Sequence, residues 1–270
     1  MSGKERADVA LVRLGLSESR EKAQAQIMAG LVFADLRKIA KPSDPVGESE
    51  NLTVRGSVNP FVSRGGWKLA KALDAFQADV QGAVAMDIGA AAGGFTDVLL
   101  KRGASHVYAI DVGYGQLDWS LRNHPDVTVM ERTNARYLQA EQFPKKPNIT
   151  VMDVSFISIR LILPVAAGIM GESGRFYTLI KPQFEAGRER VGKKGVVRDP
   201  AVHRDVLREI LSFAPSFGFR VAGLTYSPIK GPEGNIEFLA CIVPHGSDMP
   251  ALAADAVEKV VEEAHFMLQK

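Results

Sequence analysis

The chain has 270 residues, 46% hydrophobic and 24% charged, with 25 glycines and 14 prolines. That composition belongs to folded proteins and excludes disordered, collagenous and coiled-coil chains, while the length favours two domains over one. Lys+Arg 33 against Asp+Glu 31 gives a formal charge of +2, so any affinity for nucleic acid must come from local basic patches.

Cys241 is the sole cysteine and permits neither an intrachain disulfide nor a cysteine-rich zinc site, which fits a reducing cytoplasm. No ligand cluster with metal-binding spacing stands out, so no metal is expected. Near the N-terminus Lys4, Glu5, Arg6, Asp8 and Arg13 break up any signal-peptide core. The apolar run from Leu161 to Ile169 contains Pro164 and Gly168 and falls short of the ~20 residues of a spanning helix. A cytoplasmic protein without stable membrane insertion is expected.

From Arg6 to about Gly47 the pattern predicts a small helical module ending in a hairpin. Val9, Leu11, Val12, Leu14 and Leu16 predict one apolar face, Ser17 can cap a second helix carrying Ala23, Ile27 and Met28, and Gly30 ends it. LVFADLRKIAKPSDPV then predicts short strands around a turn. The polar stretch 48–60 predicts a joint with one strand inside it, which places the domains at 1–59 and 60–270.

Beyond the joint, strand-like runs (AVAMDIG, HVYAIDVG, VTVME, NITVMDVSF, GRFYTLIKPQF) alternate with helical ones, which predicts an α/β fold with a parallel sheet wrapped by helices. FRVAGLTYSPI and NIEFLACIV are joined by KGPEGN without a crossover helix and must run antiparallel. The last stretch predicts a surface helix with Ala254, Val257, Val261, Ala264 and Met267 on its apolar side.

Two patterns carry chemistry. The glycine-rich turn Gly89-Ala90-Ala91-Ala92-Gly93-Gly94-Phe95 follows an apolar strand and opens a helix, where open parallel sheets bind ligands. Its amides can bond a nucleotide-like group, and Asp111 at the end of the next strand suits a ribose diol. A tight turn beside a solvated aspartate explains the turn alone equally well. The turn lacks a Gly-Lys-Ser/Thr ending, and Ala91 stands where a dinucleotide site has its middle glycine, so an adenosyl ligand without phosphates fits better.

The second pattern is a set of polar residues at element ends: Asp153, Lys181, Glu237 and, earlier, Lys68. Desolvation beside a second cation such as Lys68 favours a neutral amine able to take a proton, with Asp153 and Glu237 orienting the lysines. Each residue also reads singly as a salt-bridged or solvated strand end.

The stretch from Val62 to Val243, with SRGGWKL, DIGAAAGGFTDVLL, AIDVGYGQLDWSLRN, ERTNAR, DVSFIS, LIKPQFEAGRERVGKKGVVRD and GPEGNIEF, resembles the TlyA family of ribosomal RNA 2′-O-methyltransferases, in the FtsJ-like class. RADVALVRLGL, SREKAQAQIMAGLVF and KPSDPV resemble an S4 RNA-binding domain. The resemblance implies a Rossmann-like methyltransferase sheet, mostly parallel with the last strand antiparallel. It also implies transfer of methyl from S-adenosyl-L-methionine to a cytidine ribose in ribosomal RNA, with ribosomal subunits as partners. The tetrad falls on Lys68, Asp153, Lys181 and Glu237. Cofactor contacts fall on Gly89, Ala90, Ala91, Gly93, Gly94, Phe95, Asp111, Val112, Asn134 and Asp153. One departure is Ala34-Asp35, where S4 hairpins commonly carry Asn-Gly.

RNA-binding candidates are Arg6, Arg13, Arg20 and Lys22 in the first module, Arg64, and Arg188, Arg190, Lys193, Lys194 and Arg198 in the loop after Lys181, which is expected to be mobile without RNA and to close over the target nucleotide. Each reads alone as a solvated charge. Trp67 and Trp119 are base-stacking candidates, though aromatics beside apolar helix faces are usually core. Two rival readings remain. A base or small-molecule methyltransferase would carry an Asn-Pro-Pro-Tyr-like motif where DVSF stands. A non-catalytic RNA-binding or haemolysin-like membrane-active protein would be exposed by liposome leakage.

Overall fold

The computed structural model describes residues 4–47, 50–55, 59–171 and 173–268, with Lys193 described by its backbone only. The chain divides between Pro60 and Phe61 into two separately packed units.

In the first unit, β1 (Lys4–Arg6) leads into α1 (Ala7–Arg13), followed by α2 (Arg20–Met28), β2 (Val32–Ala34), β3 (Arg37–Lys38), β4 (Pro45–Gly47) and β5 (Leu52–Val54). α1 buries Ala7, Ala10 and Leu11, whereas Leu14 and Leu16 are exposed. The helix stops at Arg13 and Gly15 turns the chain at φ +70°, so the predicted spacing is not continued. Ser19, not Ser17, caps α2 by accepting from the Lys22 amide at 3.2 Å. Ala23 and Ile27 face the core, while Met28, one residue past Ile27 on the final turn, points outward. β5 pairs with β2, so the strand expected inside a joint belongs to this unit's sheet, where Leu52 is buried opposite Ala34. Asp35 takes φ +52° in the β2–β3 turn, a conformation aspartate tolerates in place of Asn-Gly.

The second unit comprises α3 (Gly65–Ala75), β6 (Val84–Ile88), α4 (Gly94–Lys101), β7 (His106–Ile110), α5 (Trp119–Arg122), β8 (Val127–Met130), β9 (Ile149–Met152), α6 (Leu163–Met170), β10 (Arg175–Ile180), α7 (Pro182–Glu185), α8 (Pro200–Phe213), β11 (Phe219–Tyr226), β12 (Phe238–Pro244) and α9 (Ala256–Leu268). Its sheet runs β11-β12-β10-β9-β6-β7-β8. β6 through β10 are mutually parallel, and β12 lies antiparallel between β10 and β11. The fold is thus α/β with a mostly parallel sheet and an antiparallel last strand.

Both faces of the sheet are covered, which is why its central strands read as unbroken apolar runs. On β12, Phe238, Ala240 and Ile242 pack into the core shared with α6, α8 and α9. Leu239, Cys241 and Val243 alternate onto the opposite face with α3 and α4. α9 buries Val257, Val260, Val261 and Ala264, while Ala254 precedes the helix and Met267 sits on its outer side, so both are exposed. Among the described residues no helix is long and apolar enough to cross a membrane.

His203 on α8 is fully buried, stands against the Phe238 ring, and places Nδ1 2.9 Å from His265 Nε2 on α9. Burial, with His265 adding, lowers its pKa from 6.5 to about 4. The folded chain therefore binds fewer protons than the unfolded one between those values, so the neutral imidazole's stabilisation is complete above about pH 6.5 and is lost as pH falls toward about 4. At about pH 5 the loss relative to about pH 7.5 is on the order of 2 kcal/mol. His203→Leu is expected to remove that share of the acid sensitivity. Urea unfolding of both proteins at the two pH values checks this, and an unchanged difference between them would count against it.

Candidate active site

The chain leaves β6 for β7 on one side and later returns to β9 on the other, so the sheet reverses its strand order at β6. Connections diverge there and leave a cleft at the carboxyl ends of the strands. Gly89 follows β6 at φ +85°, and a Cβ on it would stand 2.6 Å from the Asp153 carbonyl oxygen just past β9. Only glycine lets the two strand ends pass this closely. Behind the turn the buried Asp87 accepts from the Thr96 amide and hydroxyl at 2.9 and 2.7 Å, pinning α4 to β6. Burial pushes its carboxyl up to about 7 against the pull of those bonds.

Four of the turn's amides already have partners within the protein. Gly89 and Ala90 both donate to the Ile110 carbonyl, Gly93 donates to Ala90, and Ala91 donates to Asp111 Oδ2 at 2.8 Å. The bonds from Gly89, Ala90 and Ala91 tie the end of β6 to the end of β7, and the one from Gly93 closes the turn. The Asp111 carboxylate is fixed at the rim by Ala91 and by the Gly113 amide at 2.7 Å.

A cavity of about 330 Å³ opens over the turn, lined by Gly89, Ala91, Asp111, Val112, Asn134 and Asp153, with apolar walls from Ile110, Ile157 and Ile162. A second, of about 240 Å³, holds Lys68, Lys181 and Glu237 together with Ala90, Gly94 and Phe95. Gly89, Ala91, Asp153 and Ser155 line both. Gly93 lines neither, because it packs against Leu117 and Leu121. A larger depression of about 930 Å³ lies at the start of β10, around Arg175 and His245, away from these groups.

The four polar residues form one chain of alternating charge. Lys181 Nζ lies 2.6 Å from Asp153 Oδ1, Lys68 Nζ 3.4 Å from Asp153 Oδ2 and 2.7 Å from Glu237 Oε2. Glu237 is 1% exposed and both lysines 8%. Charges this buried persist only when paired, and two cations here face two anions. Burial pulls the Lys68 ammonium down, but Asp153 and Glu237 outweigh it and hold its pKa above the ordinary lysine value. The lysines are therefore not in direct opposition: Asp153 stands between them, and among the described residues Glu237 is ion-paired with Lys68. Lys181 has a second partner that the sequence reading missed, Ser155, which accepts from Nζ at 2.9 Å. The signal was present in DVSF, a hydroxyl two residues beyond Asp153 at a strand end.

A family model described as FtsJ-like methyltransferase matches residues 61–243. The chain belongs to the FtsJ-like methyltransferases. Residues 5–52 match an S4 domain model. The chain is 43% identical over 265 residues to the 16S/23S rRNA (cytidine-2′-O)-methyltransferase TlyA of Mycobacterium tuberculosis, spanning 98% of each protein. It is 48% identical over 272 residues to YqxC of Bacillus subtilis, provisionally named an rRNA methyltransferase, spanning 100% of this chain and 97% of YqxC. A solved structure from Streptococcus thermophilus, provisionally described as a hemolysin, superposes with a TM-score of 0.76 at 43% identity and covers 100% of this chain and 98% of that one.

In the S4 domain the four basic candidates are all ion-paired. Arg6 and Arg20 converge on the buried Asp8, Arg13 pairs with Glu5 and Lys22 with Glu18. Arg6 holds the Asp8 carboxyl well below the ordinary range, with Gln24 and Arg20 adding. Both arginines stay about half exposed, 49% and 53%. In the FtsJ-like domain, Arg64, Arg188, Lys194 and Arg198 are exposed and make no side-chain hydrogen bond or ion pair among the described residues. Arg190 does not share this freedom, being anchored to Glu209, Asp205 and the Ala186 carbonyl. The Lys193 side chain lies outside the described residues. Trp119 is 78% exposed and Trp67 41%, so neither is core.

The loop after Lys181 is tied down by a residue sequence reading passed over. Asn235, 2% exposed, accepts from the Val197 amide at 3.0 Å and donates to the Gly195 carbonyl at 2.9 Å. It joins the loop to the turn that carries Glu237. Losing two such bonds, at roughly 1 kcal/mol each, should speed local opening. Asn235→Ala is expected to raise amide exchange over residues 194–198 about thirtyfold. Wild-type protection in that variant would mean the loop is held by other contacts.

Proposed function

We propose that this FtsJ-like methyltransferase transfers the methyl group of S-adenosylmethionine to the 2′-hydroxyl of cytidine in ribosomal RNA, acting on ribosomal subunits in the cytoplasm. The observation that carries the reading is the Lys181–Asp153–Lys68–Glu237 chain set against the glycine turn, with Asp153 lining the cavities on both sides. The names of the relatives support the substrate class.

The residues fit the cofactor. Gly89 presents bare backbone to the cavity, Asp111 is held where a ribose diol can reach it, and Ile110, Ile157 and Ile162 give an apolar wall for a base. Val112 and Asn134 complete the lining, while Ala90, Gly94 and Phe95 shape the catalytic side. When bound, S-adenosylmethionine supplies an electrophilic methyl that a ribose oxygen displaces in line from sulfur.

Lys181, ion-paired as an ammonium with Asp153 in the resting site, first sheds a proton to solvent, and as the amine it accepts the 2′-hydroxyl proton as the oxygen attacks. Asp153 balances the ammonium so formed, and Lys68, fixed by Glu237, keeps Asp153 in place. RNA is held by Arg64, Arg188, Lys194 and Arg198 in this domain and by the half-exposed Arg6 and Arg20 in the S4 domain.

Mapping 2′-O-methyl groups in rRNA from cells with and without the protein tests the reading. Specific cytidines should lose the mark when the protein is absent. Methylation of a base in place of ribose, or an unchanged map, would overturn it.

A further inference from the structure

We infer that Ser155 is a positioning residue for the transfer, aiming Lys181 at the substrate hydroxyl; the inference rests on the proposed role of Lys181. A neutral amine has two N–H bonds and one lone pair beyond its link to Cε. Lys181 Nζ has two protein acceptors at hydrogen-bond distance, Asp153 Oδ1 at 2.6 Å and Ser155 Oγ at 2.9 Å. With both N–H bonds directed to those oxygens, the lone pair has a single remaining direction. Asp153 alone leaves the amino group free to turn about the Cε–Nζ bond and point its lone pair elsewhere. Ser155 removes that freedom.

The placement of Ser155 fits such a role. It lines both the cavity over the glycine turn and the cavity holding the tetrad, so it stands where donor and acceptor meet. The segment carrying it is braced from behind. Buried Glu185, at the end of α7 just after Lys181, accepts from the Ser158 hydroxyl at 2.6 Å and the Ile159 amide at 2.8 Å. The same short stretches thus hold the serine and the lysine in a fixed relation.

The proton step is the one already described: the O–H bond breaks toward nitrogen as the oxygen–carbon bond forms and the carbon–sulfur bond gives its electron pair to sulfur. Ser155 neither gains nor loses a proton. Misdirecting a proton acceptor by even a fraction of an ångström weakens the transfer without altering how substrate or cofactor binds.

The test compares Ser155→Ala, Ser155→Thr and Lys181→Ala in the full chain, using ribosomal subunits and S-adenosylmethionine. Ser155→Ala should lower kcat about tenfold to thirtyfold, with KM for RNA and Kd for S-adenosylmethionine within about twofold. Ser155→Thr, which keeps the hydroxyl, should regain most of the rate. A readout independent of turnover is the 13Cε resonance of Lys181 in the cofactor-free protein, assigned by its loss in Lys181→Ala. It should move in Ser155→Ala and stay near its wild-type position in Ser155→Thr. A wild-type kcat in Ser155→Ala, or a defect confined to KM, would overturn the inference. If Lys181→Ala itself keeps full activity, it is the reading of Lys181 that fails, and the two failures are thereby told apart.

Discussion

Replacing Lys181 with alanine is expected to lower kcat for RNA methylation by about 10²–10⁴-fold, the usual share of a general base, while leaving the Kd for S-adenosylmethionine within about twofold. The split follows from where the side chain lies. Lys181 lines the cavity that holds the tetrad and is absent from the lining of the one over the glycine turn. Removing it leaves Asp153 paired to Lys68 and leaves the walls around Gly89 and Asp111 intact. The attacking hydroxyl then loses its proton acceptor, and no other lysine touches Asp153 from that side. Cofactor titration by calorimetry and single-turnover methylation on the same preparation measure the two quantities. A variant that loses binding and turnover together would place Lys181 among the cofactor contacts instead.

The second large effect concerns stability. Lys68→Met is expected to destabilise the FtsJ-like domain by about 3–5 kcal/mol, because it leaves the Glu237 carboxylate buried with no cation beside it. Adding Glu237→Gln should recover most of that loss, since the remaining groups are then neutral or paired, although activity stays low. Tryptophan fluorescence reports on this domain, which contains both Trp67 and Trp119. The pH sign follows from the raised Lys68 pKa. Its stabilisation is fully present below the ordinary lysine value, about 10.4, and fades only as pH rises through the higher folded value, so the gap between wild type and Lys68→Met stays constant across the neutral range. Equal urea midpoints for Lys68→Met and wild type would show that Glu237 finds compensation elsewhere.

Much of this arrangement can be read from the chain, and the parts that cannot share a cause. Apolar runs and helical patterning mark the strands and helices of the larger domain, and the residues after β6, β7, β9 and β10 fall at the carboxyl edge that topology makes a site. Gly89 and Asp153 meet because β6 and β9 are neighbours, which follows once the strand order is known. What patterning does not show is which polar groups satisfy one another. Four backbone amides of the glycine turn are engaged within the protein, Arg190 is held by acids from α8, and Arg6 and Arg20 share Asp8. Some partners are near in sequence, as Asp8 is to Arg6, and others far, as Glu209 is to Arg190, so the count of basic residues in a segment says little about how many remain free. Ser155 and Asn235 escaped notice for the same reason: a small polar side chain signals a turn in sequence, and only packing shows that it holds a lysine or a loop. In the first unit the departure from the apolar spacing is local. Helix α1 ends a turn earlier than its apolar spacing implies, because Gly15 bends the chain before Leu16 can face inward.

A structure of the full chain bound to S-adenosylhomocysteine and a cytidine-bearing fragment of its RNA is the most direct test of the central claim. The account predicts the nucleoside over Gly89 with its ribose at Asp111, and the target 2′-oxygen about 2.6–3.2 Å from Lys181 Nζ. A target ribose lying away from Lys181, with that ammonium turned toward bulk water while RNA is bound, would contradict it.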